Sequence, residues 1–233
     1  MKTSLKRRKS PRCSIFAPQG IGGNQFADNV TACLERYASG TLLDVGCGEK
    51  PFRDRVRGPE RWIGLDVEGN PSADVTGSAD RIPMEDASVD TVLNTQVLEH
   101  VPDPLAALVE FYRVLVPGGY LVLSAPQYYE MHEVPHDYYR FTEYGLRYLL
   151  SRAGFTVVEL RKECCGARLT GLSLNLAIDR KIPGSSIAVK AIKAPFFFAV
   201  NILFTILAAL LPNDLDVQNY TIVARKAPIT AGV

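Results

Sequence analysis

The chain has 233 residues, 47% of them hydrophobic and 22% charged, which are globular proportions. That length buries one full core without disulfide or metal staples. A formal net charge of +1 gives no reason to expect a nucleic-acid partner.

Lys2, Lys6, Arg7, Arg8, Lys9 and Arg12 crowd the start with no acidic residue among them. Residues 1–23 therefore read as a flexible, solvated basic tail, with weak contact to anionic lipid as the second reading. No apolar run precedes Gly20, so no secretory signal is expected. The five cysteines (Cys13, Cys33, Cys47, Cys164 and Cys165) are odd in number and form no Cys-x-x-Cys pair. A disulfide framework and a zinc site are thus not indicated, and a reducing cytoplasm fits.

Residues 24–38 predict a helix, with Phe26, Val30, Cys33, Leu34 and Tyr37 at three- and four-residue steps and Gly40 beyond its end. Short apolar runs follow at 41–46, 61–66, 73–76, 89–94 and 120–124, each reading as a strand. A helix over 103–116 has Asp103 as N-cap, Pro104 in its first turn and a stripe of Leu105, Leu108, Val109, Tyr112 and Leu115. Pro117-Gly118-Gly119 ends it. Thr142 caps another helix that faces Leu146, Leu149, Leu150 and Ala153 inward and closes at Gly154. Residues 155–159 and 219–224 supply the last two strands. Strands alternating with helices predict a doubly wound α/β fold whose ligand lies beyond the carboxyl ends of the strands.

The residues after those strands are unusual. The first strand runs into Asp44-Val45-Gly46-Cys47-Gly48-Glu49-Lys50-Pro51. Two glycines permit a tight turn and close approach of a ligand to the backbone. Dinucleotide enzymes begin the same way, but here Pro51 stands where their third glycine belongs. Asp44 puts negative charge beside a ligand end that a phosphate would avoid. The second strand ends in Asp66-Val67, where a carboxylate can accept both ribose hydroxyls. That position suits an NAD-dependent oxidoreductase equally well, and this remains the rival reading.

The stretches LLDVGCGEKPF, GLDV, GSADRIPMEDASVDTVLNTQVLEHVPDP and LVPGGYLVLSAP together resemble class I methyltransferases, in particular the small-molecule group with quinone-pathway members. The resemblance covers about residues 41 to 160. It implies a seven-stranded, Rossmann-like sheet, mostly parallel with an antiparallel last strand, and S-adenosyl-L-methionine as cofactor. Gly46, Cys47 and Gly48 would hold its methionine and ribose portions, Asp66 the ribose hydroxyls, with Val67 beside it in the cofactor site, and Ser78-Ala79-Asp80 the adenine. Gln96 would line the cofactor after the fourth strand. The family often has Asp directly after Gly77; here either Ser78 or Asp80 takes that role.

Methyl transfer needs an acceptor held in line and, for a hydroxyl, a base. The three histidines, His100, His132 and His136, all follow the fourth or fifth strand. His100 reads either as catalytic or as packing the turn before Asp103. His136 is the first candidate base and His132 the second, with Asp137 as orienter and Asp137, Tyr138 and Arg140 as acceptor-binding groups. Residues 136–142 resemble an HDYYRFT signature in bacterial methyltransferases that act on envelope glycans or lipid-linked substrates. Packing of the loop by Tyr138, Tyr139 and Phe141 is the alternative. His132, Glu133, His136 and Asp137 are ligand types, but Pro135 opposes the helix that would align the histidines, so no metal is expected.

Residues 164–213 then form a hydrophobic insertion, the catalytic domain being 24–163 with 214–226. Within it, 194–211 lacks charge for 18 residues, about 27 Å as a helix. In the family that the chain resembles the last two strands are neighbours, which argues against a single membrane crossing. Contact of 187–211 with a membrane surface, a lid or a homodimer face remains. The combined expectation is a cytoplasmic, peripherally membrane-associated methyltransferase that O-methylates a small or lipid- or glycan-linked acceptor. A non-catalytic module is the further alternative.

Overall fold

The computed structural model describes residues 14–184 and 186–228, so the basic run of the first twelve residues and Cys13 lie outside the described residues. The described residues divide into two compact units, one holding 28–161 with 220–228, the other 14–27 with 162–184 and 186–219.

In the first unit, β1 (Thr41–Val45), β2 (Arg61–Asp66), β3 (Val75–Thr76), β4 (Val89–Thr95), β5 (Leu115–Pro126), β6 (Phe155–Glu163) and β7 (Asn219–Lys226) form one sheet in the order β3-β2-β1-β4-β5-β7-β6. It is the expected Rossmann-like, doubly wound sheet, mixed and mostly parallel, with the last strand antiparallel. β1 pairs in parallel with β2 and β4, Leu43 lying opposite Ile63 on one side and Val92 on the other. Leu42, Leu43, Val92, Leu93, Leu121 and Leu123 are all fully buried. Such near-continuous apolar strands are what a sheet covered on both faces requires.

The helices α1 (Gln25–Tyr37), α2 (Pro104–Val114) and α3 (Glu143–Arg152) accompany the sheet. Asp103 accepts from the Leu105 and Ala106 amides, and Thr142 from that of Gly145, as their positions predict. Two expectations fail at α2. The helix stops at Val114, and β5 begins at Leu115 rather than Tyr120, because Pro117 forces its predecessor out of helical geometry and Leu115 pairs with Val89. Its inner face is Ala107, Leu108, Phe111 and Val114, with Val109 exposed. Apolar residues nearly encircle this helix, so spacing alone could not select the face.

The second unit contains α4 (Ala167–Lys181) and α5 (Ile187–Leu210), preceded in sequence by a 3-10 turn at Pro18–Ile21. Gly171 of α4 admits Ile21 and Phe204 so closely that a Cβ would meet each below 3 Å. Asn201 donates to the Ile15 (2.6 Å) and Ala17 (3.0 Å) carbonyls and accepts from Asn175 at 2.7 Å. Residues 14–23, which the expected tail included, are thereby held in place, with Ile21 buried in a cluster with Cys164 and Leu172. These backbone carbonyls gave no sequence signal.

Candidate active site

The carboxyl ends of β1, β2, β4 and β5 meet through named contacts. Gly46 (φ +71) and Gly48 (φ +46) turn the chain after β1, both in the left-handed region that glycine enters without cost. The Gly46 and Cys47 amides donate to the Leu65 carbonyl at 2.8 and 3.1 Å, fixing the turn on β2. A Cβ on Gly46 would overlap Val97 of the β4 turn, whereas one on Gly48 would meet nothing within 4 Å. Gly48 thus faces open space, where a ligand can lie on bare backbone. The Cys47 thiol is buried, and burial pushes it up to about 11, so Cys47 packs rather than presenting a reactive group.

Asp66 closes this space. Its Oδ2 accepts from the Gly48 amide (2.9 Å) and Asn70 Nδ2 (2.7 Å), and its Oδ1 from the Val67 amide (2.8 Å). Val67 is 62% exposed, an apolar surface beside the carboxylate. The Gly77 amide donates to the Asp66 carbonyl at 2.9 Å, which brings the next loop alongside. There the Ser78 hydroxyl donates to the Asp80 carboxylate, so the two candidates for one role form a single polar edge over buried Ala79. Gln96 (φ +56) bonds Ser124 of β5 through its amide (3.1 Å) and its side chain (2.7 Å).

Asp44 lies behind the turn, 2% exposed, accepting from Trp62 Nε1 at 3.1 Å. Burial pushes its carboxyl up to about 7, against the opposing pull of the Trp62 hydrogen bond and Lys50. Several residues that hold this region were missed in the sequence. Lys50 reaches Asp74 at 2.7 Å, and Asp74 also accepts the Gly64 amide. Arg113 of α2 braces 82–86 through the Ile82 and Met84 carbonyls, while its partner Glu110 accepts the Ile82 amide. A Glu-Arg pair three apart on α2 was the available signal.

The three histidines do not form one group. His100 and His132 face each other, Nε2 to Nε2 at 3.1 Å, beside the fully buried Glu99. His136 stands on the exposed side, its Nδ1 bonded to Tyr138 Oη at 3.1 Å; its Nε2 has no hydrogen bond among the described residues. Its carbonyl accepts from His100 Nδ1 at 2.8 Å, which joins the loop to the β4 turn.

Arg140 and Asp137 depart from the expected acceptor-binding roles. The guanidinium donates to both Asp137 oxygens (2.6 and 2.8 Å) and to the Tyr129, Glu130 and Tyr139 carbonyls. A guanidinium has five N–H groups, and all are used. Asp137, 3% exposed at its side chain, also accepts the His132 amide at 3.0 Å, and the Arg140 charge holds its carboxyl far below the usual range. This pair builds the loop, and Asp137 adjoins His132 rather than orienting His136.

Sheet order, glycine turn and strand-end carboxylate are the arrangement that the resemblance to class I methyltransferases implies. Residues 43–123 match the family described as Methyltransferase domain. The chain is 33% identical over 154 residues to a Mycolicibacterium smegmatis protein named "Probable S-adenosylmethionine-dependent methyltransferase", covering 59% of this chain and 60% of that one. It thus spans less than two thirds of that relative. Among solved structures, the cyclase SpnF superposes with a TM-score of 0.59 at 23% identity, over 88% of this chain and 83% of the other. Phosphoethanolamine N-methyltransferase 2 of Haemonchus contortus, solved with S-adenosyl-L-methionine, gives 0.54 at 18% identity over 91% and 56%. These identities establish the shared fold, on which a cyclase and a methyltransferase both stand. None of these matches is a dinucleotide oxidoreductase, and that reading is set aside.

Proposed function

We propose that the chain is an S-adenosylmethionine-dependent methyltransferase that methylates a hydroxyl on a small, lipid-linked or glycan-linked acceptor. The observation that carries this reading is the open space over Gly48, bounded by the Asp66 carboxylate, inside the stretch that matches the methyltransferase domain. The cofactor supplies a methyl group already activated on a sulfonium. It has a ribose diol, an adenine, an ammonium and a carboxylate but no phosphate, and the residues fit those parts. Asp66 Oδ1 has two acceptor positions and uses one, for the Val67 amide, so a diol takes the free one and displaces the Asn70 amide from Oδ2. Val67, Ala79 and the Ser78–Asp80 edge receive the adenine, and Asp44 supports the ammonium end.

His136 is the proposed base. Its Nδ1 partner, Tyr138 Oη, leaves Nε2 to take a hydroxyl proton from the acceptor. The HDYYRFT stretch and the apolar α5 favour an amphipathic acceptor. On α5, Ile192, Leu203, Ile206 and Leu210 are 73%, 52%, 52% and 70% exposed, and we read this surface as contacting a membrane. A homodimer through the same surface is the competing reading.

Incubation with labelled S-adenosylmethionine and separated membrane and soluble extracts tests the reaction. Label should pass to an organic-phase product, and His136→Ala should slow transfer on the order of 100-fold. Transfer to neither fraction, with no S-adenosylhomocysteine binding by calorimetry, would overturn the reading. For the surface, flotation with anionic phospholipid vesicles should be lost when Leu203→Glu and Ile206→Glu are combined. A dimer by light scattering that these changes dissociate would favour the homodimer.

A further inference from the structure

The cluster of Glu99, His100 and His132 remains outside the roles assigned so far. Each imidazole has its Nδ1 within bonding distance of a backbone carbonyl: His100 with that of His136 at 2.8 Å, His132 with that of Glu130 at 3.1 Å. A carbonyl only accepts, so each Nδ1 carries the proton. In the neutral ring the other nitrogen is then a bare lone pair. Two such lone pairs point at each other across 3.1 Å. Two acceptors do not attract; something positive belongs between them.

Glu99 stands next to that pair. It is fully buried, and both carboxylate oxygens lack a hydrogen-bond partner among the described residues. Its Oε1 is 4.0 Å from His100 Nε2, and the three ligand atoms lie within 4.8 Å of one another. Glu133, exposed, places Oε2 3.9 Å from the same nitrogen. A buried carboxylate without a partner is costly, and a cation offsets that cost directly.

We infer that Glu99 and the Nε2 atoms of His100 and His132 form a binding site for a divalent transition-metal ion of the zinc type. Imidazole nitrogens bound tetrahedrally at ~2.0–2.1 Å sit about 3.3 Å apart, close to the separation here. The donor set, two imidazoles and one carboxylate, suits zinc, cobalt or nickel rather than magnesium or calcium. The carbonyls on both Nδ1 atoms are the outer partners that ligating histidines ordinarily have. Glu133 or water completes the coordination. The expectation of no metal concerned His132 paired with His136, and those two remain apart; the fold supplies Glu99 and His100 instead. An ion here ties the β4 turn to the loop that presents His136. The inference stands apart from the methyl-transfer reading, since its test needs neither cofactor nor acceptor.

The test uses the full chain, stripped with a chelator and titrated with Co2+ by visible absorption and with Zn2+ by calorimetry. One equivalent of Co2+ should give the intense band of tetrahedral nitrogen and oxygen ligation, and Zn2+ should displace it. Glu99→Gln should weaken Zn2+ binding at least ~10-fold and His132→Asn more, while His132→Cys, which keeps a ligand atom, should retain it. The absence of a tetrahedral band in the unaltered protein would overturn the inference and leave a proton shared between the imidazoles. So would binding that persists unchanged in both Glu99→Gln and His132→Asn.

Discussion

The turn after β1 and the loop after β5 both stand at the carboxyl edge of the sheet, yet different groups hold them. The turn is held through its own backbone groups: the Gly46 and Cys47 amides on the Leu65 carbonyl, the Gly48 amide on the Asp66 carboxylate and the Gly48 carbonyl on Asn70 Nδ2. The loop is held by a side chain, Arg140, which commits every donor to Asp137 and three carbonyls. A backbone-held turn leaves its surface bare for a ligand. A side-chain-held loop can change the residues it presents without losing its shape, so under the proposed function acceptor choice can vary on a constant cofactor site. The two regions should therefore fail differently.

The largest effect should come from Arg140→Ala. It strands the Asp137 carboxylate, 3% exposed, and frees three carbonyls. Loss of one partner of a buried pair costs about 3 kcal/mol. Chemical denaturation should show that loss, with S-adenosylhomocysteine affinity nearly unchanged because all five Arg140 donors go to residues 129–139 and none, among the described residues, to the glycine turn. If affinity fell as steeply as stability, the two regions would not be separate devices.

Substitutions at the two glycines sharpen the contrast. Gly46→Ala meets both the left-handed φ and Val97, and should cost roughly 2 kcal/mol as well as weaken the cofactor. Gly48→Ala meets only the φ, for about 1 kcal/mol, yet its methyl enters the open space. Cofactor affinity should therefore fall more than stability at Gly48. Equal losses at both positions would show that Gly48 faces no ligand.

The same contrast explains what could be read from the sequence. Apolar runs, caps at Asp103 and Thr142, and the Gly46–Gly48 turn announce themselves locally, and the sheet followed from them. The start of β5 did not, because pairing of Leu115 with Val89 outweighs the apparent helix end at Pro117. In the loop, Arg140, Asp137 and the histidines were visible as residue types, but their partners are carbonyls, which every residue has. Spacing therefore suggested that Arg140 was free to bind an acceptor, whereas its five donors were already committed. Glu99 escaped notice for a similar reason: the feature that singles it out is burial, a property of the folded chain.

Asp44 gives the comparison a pH dependence. Its carboxyl is raised from 3.8 to about 7, so the folded form holds a proton that the unfolded form has released. The associated stability is fully present below about pH 4 and is lost as pH rises through 7. Asp44→Asn, which keeps an acceptor for Trp62, should flatten this decline between those limits. Denaturation midpoints taken across that range should diverge between the two proteins; parallel profiles would mean that Asp44 is ionised throughout.

The smallest effect concerns the Ser78–Asp80 edge. Because the Ser78 hydroxyl donates to Asp80, removing either group disturbs one shared acceptor rather than two independent ones. Ser78→Ala frees the carboxylate oxygen that Ser78 occupies, so adenine recognition through Asp80 should survive or tighten slightly. Asp80→Ala removes the acceptor itself and should weaken S-adenosylhomocysteine a few-fold, about 1 kcal/mol for one exposed hydrogen bond. If Ser78→Ala weakens binding more than Asp80→Ala, then the hydroxyl meets the adenine and the carboxylate only orients it, and the position directly after Gly77 keeps the family's role despite its different residue.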